Sequence, residues 1–409
     1  MLRIIVCIAL FTGANSAFAQ ETIKHIGGHT AYFLDSRKPN DVNLLVTKIG
    51  GHLTASFPYG KERPKFAPYY ISPWQGEKEP IEPPLLSVLR GDFFCLPFGG
   101  NAEAFHGERH PPHGESANAE WELVSRQTAG DRSRLVLAVD TKVRKGRVTK
   151  ELTLIAGEPV IYSTHTIEGF VGPAPLGHHA TLAMPEKEGA MLVSTSPFKI
   201  GLTNPTQFSN PANKEYQALA INAKFDDLAK VPQIFKDAPD ADCTKFPVRQ
   251  GYADLLCVVN EAAAEGKPAW VAAVNTAGGY LWFAFKDPKV LPSLLFWIEN
   301  HGRHGAPWNG RNNCLGLEDL CTYFADGLAP SARENTLTKL GVPTTINLTA
   351  ERPTSIHYIQ GAVPTPNGFG KVERVEFGDR RATFVDVGGK RVDVPVDYEF
   401  LKTGVVGQL

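Results

Sequence analysis

Three of the chain's twelve histidines, His106, His110 and His113, sit close together among Glu108, Arg109, Glu115 and Glu120. Imidazoles and carboxylates at this density suit proton transfer, hydrogen bonding or metal ligation. The stretch Phe105–Trp121 also holds Gly107, Pro111, Pro112 and Gly114, which forbid a regular helix. It therefore reads as a loop that carries these groups to one place on a rigid scaffold.

Two later segments can meet that loop. Leu176-Gly177-His178-His179-Ala180-Thr181 opens a strand with a histidine pair, and Asn312-Asn313-Cys314-Leu315-Gly316-Leu317-Glu318-Asp319 follows the aromatic and basic run Trp297–Trp308. Glu318 has apolar neighbours, and partial desolvation of its carboxyl would suit it to proton transfer. Each segment also has a plain alternative. Glu318 can be an ordinary loop carboxylate, His179 a hydrogen-bonded histidine at a strand start, and the His106–His113 stretch a solvated loop. His106, Glu108, His110 and His113 offer metal-ligating atoms, but no H-E-x-x-H pattern or regular element spaces them, and no metal is expected.

The elements that must position these groups are short strands. Thirty-eight glycines and thirty-one prolines in 409 residues imply many turns. Runs such as Thr30–Leu34, Asn43–Lys48, Trp121–Gln127, Arg134–Asp140, Arg147–Leu154, Pro159–Glu168 and His179–Met184 alternate or are β-branched. The pattern continues through Asp254–Val259, Ala269–Asn275, Tyr280–Phe285 and Leu291–Glu299. It resumes in the C-terminal part, where Gly388-Gly389 lies between two valine-rich runs as a hairpin signal. Helical spacing is confined to Phe225–Lys236, with Leu228, Val231 and Phe235 on one face, and to a short piece near Ala332–Leu340. About twenty strands and few helices predict an all-β protein, a large antiparallel sandwich of two or three sheets.

The formal net charge of -1 gives nucleic acid or an acidic membrane surface no electrostatic advantage as a partner. Arg3, the apolar run Ile4–Phe11 and Ala17-Phe18-Ala19 form a signal-peptide pattern, with cleavage expected after Ala19. No later apolar run approaches the length of a membrane span. The mature chain is thus expected to be exported, in a periplasm or outside the cell. The main domain would run from 20 to 352, followed by a β extension over 353–409 that either completes the sandwich or stands apart. An oxidising compartment permits disulfides, and Cys314–Cys321 and Cys243–Cys257 are the pairings to test first.

The segments, in their order, resemble the galactose mutarotase-like superfamily, which includes the aldose 1-epimerases. Ile49-Gly50-Gly51-His52-Leu53-Thr54-Ala55-Ser56-Phe57 is similar to the family's early glycine-containing strand. His113-Gly114 with Trp121 resembles its His-Gly…Trp segment, His178-His179 its histidine strand, and Gly316-Leu317-Glu318 its late glutamate motif. Asn335-Thr336-Leu337 through Gly341-Val342-Pro343 resembles its closing region. The likeness covers residues 25 to 350. It departs from the family at Leu-Pro-Phe-Gly-Gly-Asn, where an arginine-containing segment is usual, and at Gly-His-His-Ala-Thr, where asparagine–histidine is commoner.

The resemblance implies a β-supersandwich with a cleft for a carbohydrate ligand and no cofactor. Glu318 would take the proton of the anomeric hydroxyl. His179 would protonate the ring oxygen, with His178 as alternate, and His113 would hydrogen-bond the sugar. His106, Arg109, Trp308 and Arg311 are the remaining candidates for substrate binding. Trp297 and Trp282 are possible stacking platforms and Arg303 a further anion-binding group. Two rival functions are a non-catalytic carbohydrate-binding protein and a polysaccharide lyase or metal-assisted hydrolase on a related sandwich.

Overall fold

The computed structural model describes residues 23–36, 41–60 and 64–407, so the signal-peptide pattern and Cys7 lie outside the described residues. Two large antiparallel sheets dominate. One has seven strands, ordered Lys224–Phe225, Phe198–Thr203, Tyr252–Asn260, Ser293–Asn300, Asn313–Cys321, Leu176–Ala183 and Phe94–Cys95. The other has nine and includes Arg132–Thr141, Gly146–Ile155, Val160–Glu168, Thr354–Pro364, Tyr280–Lys286 and Ala269–Asn275. The expected all-β supersandwich is thus what the chain forms.

Strand periodicity sorts the side chains into layers, because successive residues face opposite sides of a sheet. In Asn313–Cys321, Leu315, Leu317 and Cys321 join the core between the two large sheets. Cys314 and Leu320 join a separate apolar cluster on the other side, with Phe93, Phe98, Leu255 and Trp297. The nine-stranded sheet is buried on both faces at Ala269–Asn275 and Tyr280–Lys286, whereas its edge strand Glu122–Ala129 is largely exposed. The sheet's second face, including Tyr162, Trp270, Phe283 and Phe285, is covered by a three-stranded sheet, Val372–Gly378, Arg381–Asp386 and Arg391–Pro395. Double burial explains why Ala269–Asn275 and Tyr280–Lys286 read as continuous apolar runs and not as alternating ones. Thr354–Pro364, just past the boundary expected at 352, lies in the middle of the nine-stranded sheet, paired with Tyr280–Lys286 and Val160–Glu168.

Two sequence expectations need correction and a third is refined. Phe225–Lys236 is not a helix: after the short strand Lys224–Phe225 the chain runs through turns and isolated bridges. Pro232 lacks an amide donor, and Asp227 accepts from the Ala229 amide at 2.9 Å in a local turn that competes with a helix. Leu228 and Val231 are buried as anchors of an irregular segment, so their spacing only mimics a helical face. The expected helix near Ala332–Leu340 is two short ones, Leu328–Ala332 and Thr336–Lys339, the second started by an Asn335–Thr338 capping box. Finally, Cys95, Cys243, Cys257, Cys314 and Cys321 are all buried free thiols. Cys314 and Cys321 lie near opposite ends of one extended strand, about 23 Å apart at ~3.3 Å per residue, far beyond disulfide reach.

No helix among the described residues is long and apolar enough to cross a membrane. The core between the large sheets is not purely apolar. Lys286 Nζ contacts Asp319 Oδ1 at 2.6 Å and donates to the Ser293 carbonyl at 2.8 Å, while Tyr358 donates to Asp319 Oδ2 at 3.1 Å. Removing one member of such a pair leaves an uncompensated buried charge. Lys286→Ala is expected to lower unfolding free energy by roughly 3–5 kcal/mol in urea denaturation; a loss under about 1 kcal/mol would show that the pair is not buried as described. Thiol titration of the unreduced, denatured protein should find all five of these cysteines reactive.

Candidate active site

Leu176–Ala183 and Asn313–Cys321 are antiparallel neighbours, and their register sets His179 directly opposite Glu318. Side chains of directly opposed residues lie on the same face and within reach of each other. His179 Nε2 is 3.2 Å from Glu318 Oε1. Both point away from the central core into a cleft of about 380 Å³, lined also by His113, Trp297, Arg303 and Trp308. Two further positions make room for this pair. Gly316 lies two residues before Glu318 on the same face, where a Cβ would come within 2.6 Å of Glu318 Oε1. Phe93 stacks on His179 with ring centroids 4.4 Å apart, and His52 stacks on the other face of Phe93 at 4.1 Å.

Burial decides the charge state. His179 is 4% and Glu318 2% exposed. Desolvation pushes the Glu318 carboxyl well above its usual range, opposed by the nearby Arg303 charge. It holds the His179 imidazole well below its usual range, and the neighbouring His113 works in the same direction. We therefore read the pair as a carboxylic acid facing a neutral imidazole and not as an ion pair. His179 Nδ1 is 3.1 Å from Thr181 Oγ1. The tautomer with its hydrogen on Nδ1 leaves Nε2 to accept from Glu318, so both contacts are satisfied.

His113 reaches the same cleft from the loop. Its own backbone is left-handed, at φ 58°, and it is followed by Gly114 at φ 77°. A Cβ on Gly114 would lie 1.8 Å from the Leu96 carbonyl oxygen, so only glycine permits this approach. Ser116 Oγ donates to the Phe94 carbonyl at 2.8 Å, and Trp121 Nε1 donates to the Ser116 carbonyl at 2.9 Å, which ties the loop to the sheet edge. Burial lowers the His113 imidazole to about 4, so it is neutral. Its Nδ1 lies 3.6 Å from Cys95 Sγ. Burial also keeps Cys95 protonated, by raising its thiol well above the ordinary range. The thiol can therefore donate to Nδ1, leaving Nε2–H as the imidazole's donor.

The other sequence candidates part company here. His178 faces the opposite side of its strand from His179: its Nδ1 is 2.9 Å from Asp92 Oδ2, and its ring stacks on Tyr358 at 4.0 Å inside the core. Gln360 donates to the same Asp92 oxygen at 2.9 Å and accepts from Tyr69 at 2.6 Å, completing a structural network. His106 and Arg109 are exposed and do not line the cleft. Arg311 is tied to Glu77 at 2.5 Å and to the Pro307 carbonyl at 2.6 Å, outside the cleft lining. Trp282 is in the central core, donating to Tyr69. His110 pairs with Glu108 at 3.1 Å, and Arg144 clasps that carboxylate at 2.7 Å. His106, His110 and His113 therefore do not converge, and among the described residues no three His, Cys, Asp or Glu side chains form a metal-ligating group.

Sequence reasoning missed Phe93, Asn204, Gln207, Phe208 and Asp326, which also line the cleft. Asn204, Gln207 and Phe208 come from an irregular segment after Phe198–Thr203, with no periodic or motif signal to single them out. It also missed that Glu318 lies on a strand, since Glu318-Asp319 within a short apolar run resembles a turn.

A cleft on one face of a large antiparallel supersandwich, floored by a carboxyl–imidazole pair, gives the architecture its class: the chain has the galactose mutarotase-like fold. It is similar to a provisionally assigned aldose 1-epimerase from Klebsiella pneumoniae, at 12% identity, TM-score 0.58, and 83% of this chain against 80% of that one. A provisionally assigned aldose 1-epimerase from Escherichia coli shares 15% identity at TM-score 0.52, covering 82% of this chain and 99% of that one. A galactose mutarotase related enzyme from Lactobacillus acidophilus shares 11% at TM-score 0.50, with 85% and 100% covered. At these identities the likeness is one of fold. No family model and no curated relative matches the sequence.

The two adjacent histidines can be separated by experiment. His178→Ala strands Asp92 in the core and should cost roughly 3–5 kcal/mol of stability in urea denaturation. His179→Ala, which opens onto the cleft, should cost less than half as much. Equal losses would contradict the opposed orientations.

Proposed function

We propose that the protein is an exported aldose 1-epimerase-type enzyme that interconverts the anomers of a free sugar or sugar acid. The observation that carries this is the Glu318–His179 pair, desolvated at the floor of a cleft with aromatic walls and held at 3.2 Å. Anomer exchange needs one proton donor and one proton acceptor close together. A carboxylic acid beside a neutral imidazole, or a carboxylate beside an imidazolium, has the same single transferable proton, so the pair can enter the reaction in either form.

In the forward direction Glu318, as carboxylate, takes the proton from the anomeric hydroxyl while His179, as imidazolium, gives its proton to the ring oxygen. The C1–O bond to the ring oxygen breaks as the C1 carbonyl forms. Rotation about the C1–C2 bond presents the other carbonyl face. Closure returns the ring-hydroxyl proton to His179, and Glu318 protonates the new anomeric oxygen. The pair ends as it began. Arg303 favours the carboxylate form of Glu318, and His113 Nε2–H is suited to hydrogen-bond a sugar oxygen. Trp297 and Trp308, with ring centroids 6.0 Å apart and edge-on, offer apolar surface for a sugar face.

Glu318→Gln and His179→Asn should each slow anomer exchange by roughly 10²-fold or more, measured by NMR exchange or polarimetry. Exchange at the wild-type rate in either variant would remove that residue from the mechanism. The pH profile has a defined sign. A second proton on the pair requires protonating His179, whose affinity is lowered, so the acid limb should fall below histidine's ordinary 6.5. Loss of the single proton requires ionising Glu318, whose pKa is raised, so the alkaline limb should lie above the ordinary 4.5. An acid limb at or above 6.5 would contradict the neutral resting pair. Export is checked by N-terminal sequencing of the secreted protein, which should begin at Gln20.

A further inference from the structure

We propose that the cleft is built for an acidic monosaccharide, and that Arg303 recognises the sugar's carboxylate; this rests on the sugar-epimerase reading of the same cleft. Among the described residues that line the cleft, Arg303 is the sole arginine or lysine. Its guanidinium centre lies 5.0 Å from the Trp308 ring, 5.5 Å from Phe208 and 5.7 Å from Trp297. Aromatic neighbours on this scale hold a guanidinium in place without occupying its hydrogen-bond donors.

Its protein counter-charge is a weak competitor. Glu299 Oε2 is 3.6 Å from Arg303 Nε, beyond a hydrogen bond. Glu299 Oε1 instead accepts from the Gly302 and Arg303 backbone amides, each at 2.9 Å. Burial also raises the Glu299 carboxyl to about 7, so it carries only part of a charge near neutrality. Among the described residues no hydrogen bond holds the terminal nitrogens of Arg303, whereas those of Arg311 are engaged by Glu77 and Pro307. The fork of Arg303 is thus free to bind a planar anion bidentately.

Position and charge count narrow the ligand. Arg303, Glu318, His179 and His113 line the same cleft, and the Trp297 ring lies 5.7 Å from the guanidinium centre and 5.6 Å from the His179 ring, so one small molecule can touch both the guanidinium and the proton-transfer pair. At about 380 Å³ the cleft is at the small end of ligand pockets. A single cation matches a single negative charge. A phosphate dianion would want more positive charge than is present, and Asp326, also in the lining, would oppose it. A carboxylate is the better match.

The test uses matched sugars: glucose, glucuronate and glucose 6-phosphate, and the corresponding galactose set. Binding is read by tryptophan fluorescence and anomer exchange by NMR, on wild type, Arg303→Gln and Arg303→Lys. In wild type the uronate of at least one set should bind roughly 10- to 100-fold more tightly than its neutral counterpart, the range expected for a charge-assisted hydrogen bond. Arg303→Gln should bring that ratio to about one, and Arg303→Lys should restore part of it. A 6-phosphate preferred over the uronate, a neutral sugar preferred, no binding of any uronate, or a ratio unchanged in Arg303→Gln would each overturn the proposal. Arg303-dependent uronate binding without anomer exchange would uphold it while removing the epimerase activity. Exchange confined to neutral sugars would do the reverse.

Discussion

The register between Leu176–Ala183 and Asn313–Cys321 is the constraint on which the site depends. It sets His179 against Glu318 and, one step along, His178 against Asp319. Because a strand alternates its faces, the first pair opens to the cleft and the second turns into the core. A slip of one residue in Asn313–Cys321 would exchange its two faces, turning Glu318 into the core beside Tyr358 and Lys286 and swinging Leu315, Leu317 and Asp319 out toward the cleft. Hydrophobic burial of Leu176, Ala180, Leu182, Leu315 and Leu317 between the sheets thus aims the chemistry as well as stabilising the fold.

The polar groups behind the site support those in front. Asp92, Gln360 and Tyr69 hold His178, and Lys286 and Tyr358 hold Asp319, so the two strands carrying His179 and Glu318 are clamped from the core side. Such networks are stabilising only when their members are paired, which makes them strict about geometry. On the cleft side the stack His52–Phe93–His179 and the small Gly316 leave the imidazole and carboxyl little freedom and little water. Desolvation then moves both groups toward their neutral forms, one up and one down, leaving a single proton between them.

The loop supplies the third imidazole by a different device. A left-handed His113 followed by a glycine pressed against the Leu96 carbonyl turns the ring toward the sheet, and Ser116 and Trp121 fasten the loop to Phe94 and to itself. Two of the same loop's other groups, Glu108 and His110, serve structure: the Arg144–Glu108–His110 chain holds the loop to the Gly172–Ala174 segment through the Pro173 carbonyl, to which Arg144 donates at 2.8 Å. A cluster dense in chemistry along the sequence is therefore divided in space between one cleft residue and a largely buried clamp.

The sequence by itself determined the all-β class, most strand positions and the segments around His113, His179 and Glu318, because period-two patterning and His-Gly or Gly-Leu-Glu motifs are local. It could not separate His178 from His179, since which face of a strand meets water depends on the sheet packed against it. It could not tell Arg303 from Arg311, or Trp308 from Trp282, because side chains of one type differ only in their tertiary neighbours. The apparent helix at Phe225–Lys236 and the imagined Cys314–Cys321 bridge failed for the same reason: spacing along the chain says little about distance once the backbone is extended or irregular. Which groups share a cleft, which are desolvated and which remain free to bind were decided only when the sheets stacked.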